Sequence, residues 1–509
     1  MPFINKGYGP KTYTKKQYLN ERRDTRTLSW PRPVFASLLM LSLCGCASQQ
    51  APATAPLGFE LPAAWSGTTT QADVGAVSQT SLALWWQRFD DPLLSQLITQ
   101  ALNANTSVRG AQAALQEARA LRDVAGAALW PTLGSSVSAR RGRSAEVTSN
   151  TFQLGLDASW EMDVFGANRS AVDATEATAQ ASAASLGQVQ VSIAAEVALD
   201  YMALRSAQER LVIAQANLTS QQETLQITQW RLQAGLVTSL ETQQAIALTE
   251  QTAAALPALQ TTIEQNRHAL AVLTGQAPTA LSAALATAAP VPQAPDDLAM
   301  AFPADTLRQR SDVRAAEFQV TAAGARVTQA DAARLPSFTL GGSLGLSALT
   351  VGALTDGASV AAALLASMSW PVFDGGASRA QLRAQQAALA QANTSYQAAV
   401  LTALTEVEDA LVALRGDQQR LLRLQNAFSA ADSAATLASQ RYSSGLVDFQ
   451  TVLETQRSRL STQDSVAVAR AAVSADHVRL YKALGGGWQP DSLDATPAPA
   501  TNITRTSIS

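Results

Sequence analysis

A heptad repeat of apolar residues in the second half of the chain limits the possible folds more than any other feature. From Ala377 to Tyr442 there is no proline and a single glycine, Gly416. An apolar residue at every seventh position keeps one stripe of a helix against a partner and gives a left-handed coiled coil. At about 1.5 Å per residue, the segment would form a helix of roughly 100 Å. The repeated positions are Val407, Leu414, Leu421, Phe428, Ala435 and Tyr442.

The first half of the chain carries the same design 210 residues earlier. Trp160 and Gly235 lie at this offset from Trp370 and Gly445, and an earlier heptad stripe is in phase with the later one. Agreement at one offset over so many positions indicates an internal duplication. The earlier stripe is Val197, Leu204, Leu211, Leu218, Leu225 and Leu232.

The duplication predicts one elongated architecture, mainly α, in place of several globular domains. Each repeat would contain a β-hairpin and a pair of long helices, and a Pro- and Ala-rich linker would join the repeats. The expected boundaries are a first repeat at 81–275 (hairpin 132–160, helix pair turning at 235), a linker at 276–304, and a second repeat at 305–487 (hairpin 337–372, helix pair turning at 445).

Residues 1–45 have the features of a lipoprotein signal peptide. A basic leader precedes a short apolar core, Val34 to Leu43, which is too short to span a bilayer as a helix. Cys46 follows a small residue, as in a bacterial lipobox, whereas Cys44 follows a leucine. We expect acylation at Cys46; the alternative is a chance cysteine in a cleaved leader. An acylated tether would then cover 46–80, and a disordered tail would cover 488–509.

Within each hairpin the apolar period changes from helical to two. Leucine, phenylalanine and alanine alternate with glycine, serine and other polar residues, so that one face is apolar and the other is small or polar. This pattern is typical of a transmembrane β-barrel with a polar interior. Half of a soluble β-sandwich is the alternative, but no segment supplies a second sheet. Trp160 and Trp370 fall where interfacial aromatic residues would lie.

Four strands in one chain are too few for a barrel. The smallest single-chain barrels have about eight strands, and an open sheet edge in lipid leaves backbone groups unpaired. Several copies must therefore share one barrel. Two copies give eight strands and a lumen filled by side chains, while three give twelve strands and room for a passage. The small residues on the polar face favour three.

The composition argues against nucleic-acid binding and against catalysis. Beyond the leader, acids outnumber bases and the only lysine is Lys482, so there is no basic patch. No phosphate-binding glycine loop or paired-acid motif occurs. The two histidines, His268 and His477, have no ligand spacing around them and are interpreted as structural. We expect no enzyme activity, no metal and no cofactor.

The two helix turns are the candidate functional sites. Glycine beyond a long helix is the usual C-terminal stop, so plain hairpin ends remain an alternative. An apolar Leu-Val pair beyond each glycine, however, places apolar surface at a tip and favours contact with a partner. The residues are Gly235, Leu236 and Val237 in the first turn and Gly445, Leu446 and Val447 in the second.

An ordered set of motifs resembles the TolC-like outer-membrane factors, in the lipoprotein branch of NodT-type efflux components. The resemblance covers essentially the whole mature chain. The motifs are the lipobox at Cys46, Trp85-Trp86 with Asp91-Pro92, Trp160 with Asp163-Val164-Phe165-Gly166, Asp312-Val313-Arg314, Leu335-Pro336-Ser337, and Arg441-Tyr442 with Gly445 and Leu453-Glu454.

The resemblance implies a homotrimer in the outer membrane of a Gram-negative bacterium. Its twelve strands would form a barrel continuous with a periplasmic α-barrel of twelve helices. A periplasmic adaptor, coupled to an inner-membrane pump, would open the inner end by docking at the two turns. The periplasmic aperture would lie at Glu454, with Thr451 and Glu241 beside it.

Three departures from some relatives concern this aperture: Glu454 replaces an aspartate, Thr451 a second acid, and Val447 a latch arginine. We therefore expect a weaker acid ring and other contacts holding the closed state. The predicted function is a passive exit duct for efflux or secretion. The alternative is a coiled-coil adhesin or structural spacer of the cell envelope with a β anchor.

Overall fold

The computed structural model describes residues 59–60, 62, 65, 82–144, 147–295 and 310–488. The signal peptide, Cys46 and the tail from 489 onwards lie outside these residues. Within them the chain is mainly helical, as predicted, with one four-stranded sheet. The helices are α1 (Pro92–Ala104), α2 (Thr106–Ala127), α3 (Ala167–Gln233), α4 (Ser239–Leu273), α5 (Ser311–Ala332), α6 (Ala377–Ser443) and α7 (Phe449–Ala483). The strands are β1 (Thr132–Ser144), β2 (Val147–Met162), β3 (Ser337–Ala348) and β4 (Val360–Ser369).

Two helices of 67 residues, α3 and α6, run the length of a helical wall. Nearer the sheet, α3 packs against α2 and α5, and α5 also packs against α6. Nearer the turns, α3 packs against α4 and α7, and α7 also packs against α6. The wall is therefore bounded by α2 and α4 on one edge and by α6 on the other. None of the predicted heptad positions is exposed, so the stripes pack against neighbouring helices as expected.

No helix in the described part of the chain has the length and hydropathy that crossing a membrane would require.

The duplication is confirmed by the helix boundaries. α3 and α6 begin and end 210 residues apart, and so do α4 and α7. α2 and α5 are offset by 205 residues, as are the starts of β1 and β3. The extra residues of the second repeat therefore lie in its hairpin tip, which holds two short 3-10 helices at Val351–Thr355 and Gly357–Ser359.

Both repeats join two helices end to end at the same place. The side chain of Asn105, at the start of α2, donates from Nδ2 to the carbonyl of Leu273 at the end of α4, at 2.9 Å. Arg310, just before α5, donates from Nη1 to the carbonyl of Ala483 at the end of α7, also at 2.9 Å. The last carbonyls of a helix lack partners within it, so both contacts satisfy groups that would otherwise be unpaired.

A cluster of aromatic side chains forms the core of a belt around these joints. Trp85 stacks on Tyr481 with ring centroids 5.4 Å apart, and Phe89 packs edge-on against both rings. Beside this cluster, Asp91 caps α1 by accepting from the amides of Leu93 and Leu94. Aromatic burial of this kind contributes more than its area alone.

The segment expected to be a linker is packed as far as residue 295. Leu285 is fully buried, and Arg205 on α3 donates to the carbonyl of Thr287 at 2.7 Å. Gln293 donates to Ser474 on α7 at 2.8 Å. Residues 276–295 form no helix or strand, and apolar residues within them pack against the wall.

The sheet is antiparallel, in the order β1-β2-β3-β4. Leu133 lies opposite Ala158, Trp160 opposite Leu340, and Leu340 opposite Ala366, which places the apolar residues of all four strands on one face. The opposite face is mostly Gly, Ser and Ala. β1 and β4 have no partner on their outer sides within the described chain.

Two expected boundaries were wrong. The polar residues at 140–150 predict the tip of the first hairpin, yet β1 continues to Ser144 and β2 begins at Val147. Trp488 was assigned to a disordered tail, but it is buried against Gly187, where an added Cβ would meet the indole at 2.7 Å. Within the expected tether, Phe59 and Trp65 also pack against the second repeat.

Replacing glycine by alanine at two positions with nearly the same backbone conformation separates the cost of backbone strain from the cost of a steric clash. Gly235 and Gly275 have φ of +71° and +73°. An added Cβ at Gly235 meets nothing within 4 Å, whereas at Gly275 it would meet the carbonyl oxygen of Ala104 at 2.7 Å. We expect Gly235→Ala to cost about 1–2 kcal/mol from left-handed strain alone. Gly275→Ala should cost about 1–3 kcal/mol more. Thermal unfolding followed by circular dichroism checks this; equal midpoints would contradict the clash.

Candidate functional site at the two helix turns

Each turn ends its helix with the same pair of backbone hydrogen bonds. In the first, Gly235 donates to the carbonyl of Leu232 and Leu236 to that of Arg231. The second repeats this with Gly445 and Leu446. Both glycines have positive φ, near +71° and +72°, so each turn is a Schellman motif that requires glycine. The predicted helix stops are confirmed.

The apolar residues that follow differ in exposure. Leu236 and Leu446 are 73% and 74% exposed, which agrees with the prediction of apolar surface at the tips. Val237 and Val447 are half-buried, so they contribute less of that surface than expected. Schellman motifs often bury the residue after the glycine against the preceding turn, and here both leucines are left free.

A cluster of three side chains links the two helix pairs next to the turns. The guanidinium of Arg231 on α3 lies 4.6 Å from the ring centroid of Tyr442 on α6. The Tyr442 hydroxyl donates to Glu241 on α4, at 3.4 Å. The same ring packs 5.4 Å from Phe449, which is buried at the start of α7. The four helices near the turns, α3, α4, α6 and α7, therefore meet at Tyr442. No sequence pattern predicts this role.

The start of α7 places the expected aperture residues. Asp448 is the N-cap of α7 and accepts from the hydroxyl and the amide of Thr451, at 2.6 and 2.9 Å. These hydrogen bonds lower the pKa of Asp448. Glu454 is exposed and accepts from Gln450 at 3.0 Å. All three residues predicted at the aperture thus have intrachain partners, and Glu454 is the one that is exposed.

Above the turns, α3 and α7 are joined by polar contacts at heptad spacing. Gln456 donates to Thr224, and Asn217 donates to Gln463. One heptad further along α3, Arg210 forms a two-bond ion pair with Asp464, and Glu209 pairs with Arg470. The contacts are Thr224–Gln456, Asn217–Gln463, Arg210–Asp464 and Glu209–Arg470. Sequence analysis found only the apolar stripes of α3 and α6 and missed this polar seam.

The junction between sheet and helices is rich in aromatic side chains. Trp160 donates from Nε1 to the carbonyl of Leu129, at 3.0 Å, and so ties β2 to the end of α2. Trp370 is more than half exposed. Sequence analysis predicted these two and missed others at the same junction. The others are Trp130, Phe165, Phe338 and Phe373.

Among the described residues there is no group of three or more His, Cys, Asp or Glu side chains that could hold a metal ion. His477 is buried beside Tyr481, with ring centroids 6.5 Å apart, and His268 is exposed. The two histidines are therefore not brought together.

Residues 97–276 and 302–486, more than half of the chain, match the family model described as outer membrane efflux protein. The chain belongs to this family. It is an outer-membrane channel component of an efflux system in a Gram-negative bacterium, which decides against the adhesin or spacer alternative.

Relatives and solved structures agree over nearly the full length. The chain is 33% identical over 483 residues to the pyoverdine export outer membrane protein OpmQ of Pseudomonas putida, covering 91% of this chain and 99% of that protein. It is 30% identical over 467 residues to nodulation protein T of Rhizobium leguminosarum bv. viciae, covering 91% and 95%. Its structure matches the outer-membrane channel OprN with a TM-score of 0.79 at 37% identity, covering 84% and 98%.

Asp448→Ala should loosen the first turn of α7, and the duplication provides a matched control. Thr238, the equivalent residue before α4, makes no side-chain cap hydrogen bond. Hydrogen exchange of the Thr451 amide should accelerate in Asp448→Ala, while Thr238→Ala leaves the start of α4 unchanged. Because the pKa of Asp448 is lowered on folding, the cap is present above the unfolded value of 3.8 and is lost as pH falls through the folded pKa. Equal exchange in both variants would contradict this role.

Proposed function

We propose that three copies of the chain form one duct across the outer membrane and the periplasm, which acts passively as the exit of a tripartite efflux system. The observation that carries this proposal is the incompleteness of a single copy. Its sheet has two unpaired edges and one apolar face, and lipid does not tolerate unpaired edges.

The helical wall also has an uncovered edge, which a comparison of equivalent residues on α3 and α6 shows. Met202 on α3 is buried, whereas the equivalent residue on α6, Val412, is 63% exposed. Val191 and its equivalent Leu401 differ likewise. On this side α3 has α5 and α7 as neighbours, and α6 has none in the described chain. By the repeat, α2 and α4 of a second copy would fill the place beside α6.

Copies added beside α6 would form a closed ring if the last copy contacts the first through both its sheet and its helices. Three copies would supply twelve strands, which leaves a lumen, whereas two would supply eight, which side chains fill. The small residues on one face of the sheet suit the wider lumen. Three copies also give a closed symmetry in which every edge is used once.

We propose that the two turns, with Leu236 and Leu446, are read by a periplasmic adaptor, and that Tyr442 restrains the closed state. Opening would require the α3–α4 and α6–α7 pairs to separate near the tips. The contacts of Tyr442 with Arg231 and Glu241 oppose that movement. The solved relatives include the open state of the MtrE channel of Neisseria gonorrhoeae, which matches with a TM-score of 0.74 at 28% identity.

Catalysis has no part in this proposal, since transport through the duct would be driven by an inner-membrane pump. Cys46 would carry the lipid that fixes the chain to the outer membrane. The cargo is set elsewhere: names of relatives refer to pyoverdine export, to nodulation and to toluene efflux. Proteins of one architecture thus serve chemically unlike cargoes.

Oligomeric state and conductance test the duct together. The purified protein should be a trimer by native mass spectrometry and should conduct in planar bilayers, with lower cation preference in Glu454→Gln, because three carboxylates near one axis attract cations.

Val412→Glu should reduce the trimer fraction by burying a charge at the new contact. Val212→Glu, on a similarly exposed residue of α3 away from either edge, should leave it unchanged. A stable monomer, or a trimer without conductance, would sink the proposal.

Photo-crosslinking in cells tests the tips. A photoreactive residue at position 236 or 446 should yield a covalent product with a periplasmic adaptor, identified by mass spectrometry. The product should be lost when the other leucine is changed to aspartate, since an added charge weakens an apolar contact. The same residue at position 212, exposed but far along α3, is the control. Products containing only other copies of this chain would contradict adaptor docking.

A further inference from the structure

A cavity of about 520 Å³ lies where α3, α4 and α7 meet. α3 contributes Asp200, Ser206 and Arg210, α4 contributes Thr262, and α7 contributes apolar side chains and Arg479. A second cavity of about 810 Å³ adjoins it, because Arg210 and Thr262 line both. These volumes fall in the range of small-molecule sites, roughly 300–1,000 Å³.

The cavity carries a negative charge that the protein does not neutralise. Asp200 is half-buried and has no hydrogen-bond or ion-pair partner among the residues that the structure describes. The two arginines of the lining are already paired, Arg210 with Asp464 and Arg479 with Asp476. Burial disfavours the charged form of a carboxylate without a partner, so a positive charge placed beside Asp200 would stabilise it.

The second repeat shows that the fold does not require this charge. Glu196 and Asp200 lie one turn apart on α3. The equivalent of Glu196 on α6 is Glu406, which is paired with Arg310 at 2.7 Å. The equivalent of Asp200 is Ala410. The position of Asp200 thus carries a charge in the first repeat and an alanine in the second.

The remaining lining is apolar. Leu199 and Met202 from α3 face Val468 and Ala471 from α7 across the cavity. Methionine is flexible and polarisable and adapts to ligands of different shape. A carboxylate at one side of an apolar cavity matches a molecule with one positive charge and an apolar body, because each part then meets its complement.

The cavity opens away from the belt. On α3, Ala203, Ser206 and Arg210 lie opposite the side that carries Arg205, which binds the belt segment. On α7, Asp464 and Val468 continue the stripe of Glu454 at helical spacing. In the proposed duct this side faces the axis.

We propose that this cavity is a binding site for a cationic amphiphile, with the positive charge against Asp200 and the apolar body against Met202 and Val468. The site would hold passing cargo, or a cationic blocker, on the wall of each copy. The inference rests on the proposed duct only for the statement that the cavity opens into the lumen. Binding itself depends on the geometry of one chain.

Two hydrophobic ions of similar size and opposite charge provide the test. Equilibrium dialysis of the purified full-length protein should show saturable binding of tetraphenylphosphonium and at least tenfold weaker binding of tetraphenylborate. Asp200→Asn should weaken tetraphenylphosphonium binding about tenfold or more and should strengthen tetraphenylborate binding, because the charge that attracts the cation and repels the anion is removed. Glu223→Gln, an exposed acid on another side of α3, should have no effect. Equal binding of the two ions, or unchanged binding in Asp200→Asn, would overturn the site.

The pH dependence gives a second measurement that needs no variant. Burial, and after it the charge of Glu196, raise the pKa of Asp200 to about 6. Binding of tetraphenylphosphonium should therefore be strongest above this value and fall as pH drops through it, because protonation removes the charge. Binding that does not change between pH 7.5 and pH 5 would contradict the role of Asp200. The charged groups around the site are Glu196 and Arg210 from α3, and Asp464, Asp476 and Arg479 from α7; the α4 residue, Thr262, does not titrate.

Conductance of the unsubstituted protein separates this inference from the duct. Pores without tetraphenylphosphonium binding would overturn the binding site and leave the duct standing. Charge-selective binding that depends on Asp200, in a protein that forms no pore, would support the site and overturn the duct. When both hold, tetraphenylphosphonium should also reduce the current through the pore.

Discussion

The unpaired outer edges of β1 and β4 determine how copies of this chain can assemble. Backbone N–H and C=O groups along a sheet edge need partners, and the hydrocarbon of a membrane offers none. Within the described residues the sheet of one copy pairs only its inner edges, so its apolar face and its open edges require other copies to continue the sheet in a membrane. The same requirement extends down the wall, where α6 lacks on one side the neighbours that α3 has.

The long helices are held together by apolar packing along their length, whereas α3 and α7 are joined by polar contacts. The long helices owe their continuity to alanine-rich sequence and apolar stripes, which favour close packing along the whole rod. Between α3 and α7 the seam is polar instead, with paired amides and ion pairs at heptad spacing. Half-exposed ion pairs contribute little stability, of order 0–1 kcal/mol each. They do fix register, and they can exchange partners with water when the helices move, which suits a wall that has to open at one end.

In the proposed duct, the closed state would be held near the turns by the contacts of Tyr442 with Arg231 and Glu241. The belt is the opposite case. There, stacked aromatics, two end-to-end helix joints and the hydrogen bonds of Arg205 hold the segments that precede and follow the long helices. Firm packing at the belt and sparse packing at the tips is the distribution expected of a gate hinged far from its opening.

Sequence alone determined the features that depend on local period and on repetition. The heptad stripe predicted α6 to within one residue of its end. The offset of 210 then predicted the first pair of long helices from the second. Glycine marked the two turns, because only glycine takes positive φ without strain. Alternation of apolar and small residues gave the sheet and the face it turns outward. Tertiary structure alone decided the contacts between residues far apart in the chain: Tyr442 with Arg231 and Glu241, the polar seam of α3 and α7, the packing of Trp65 and Trp488, and the unpartnered Asp200. Those contacts depend on the order in which the helices lie side by side, and no period within one helix specifies its neighbour.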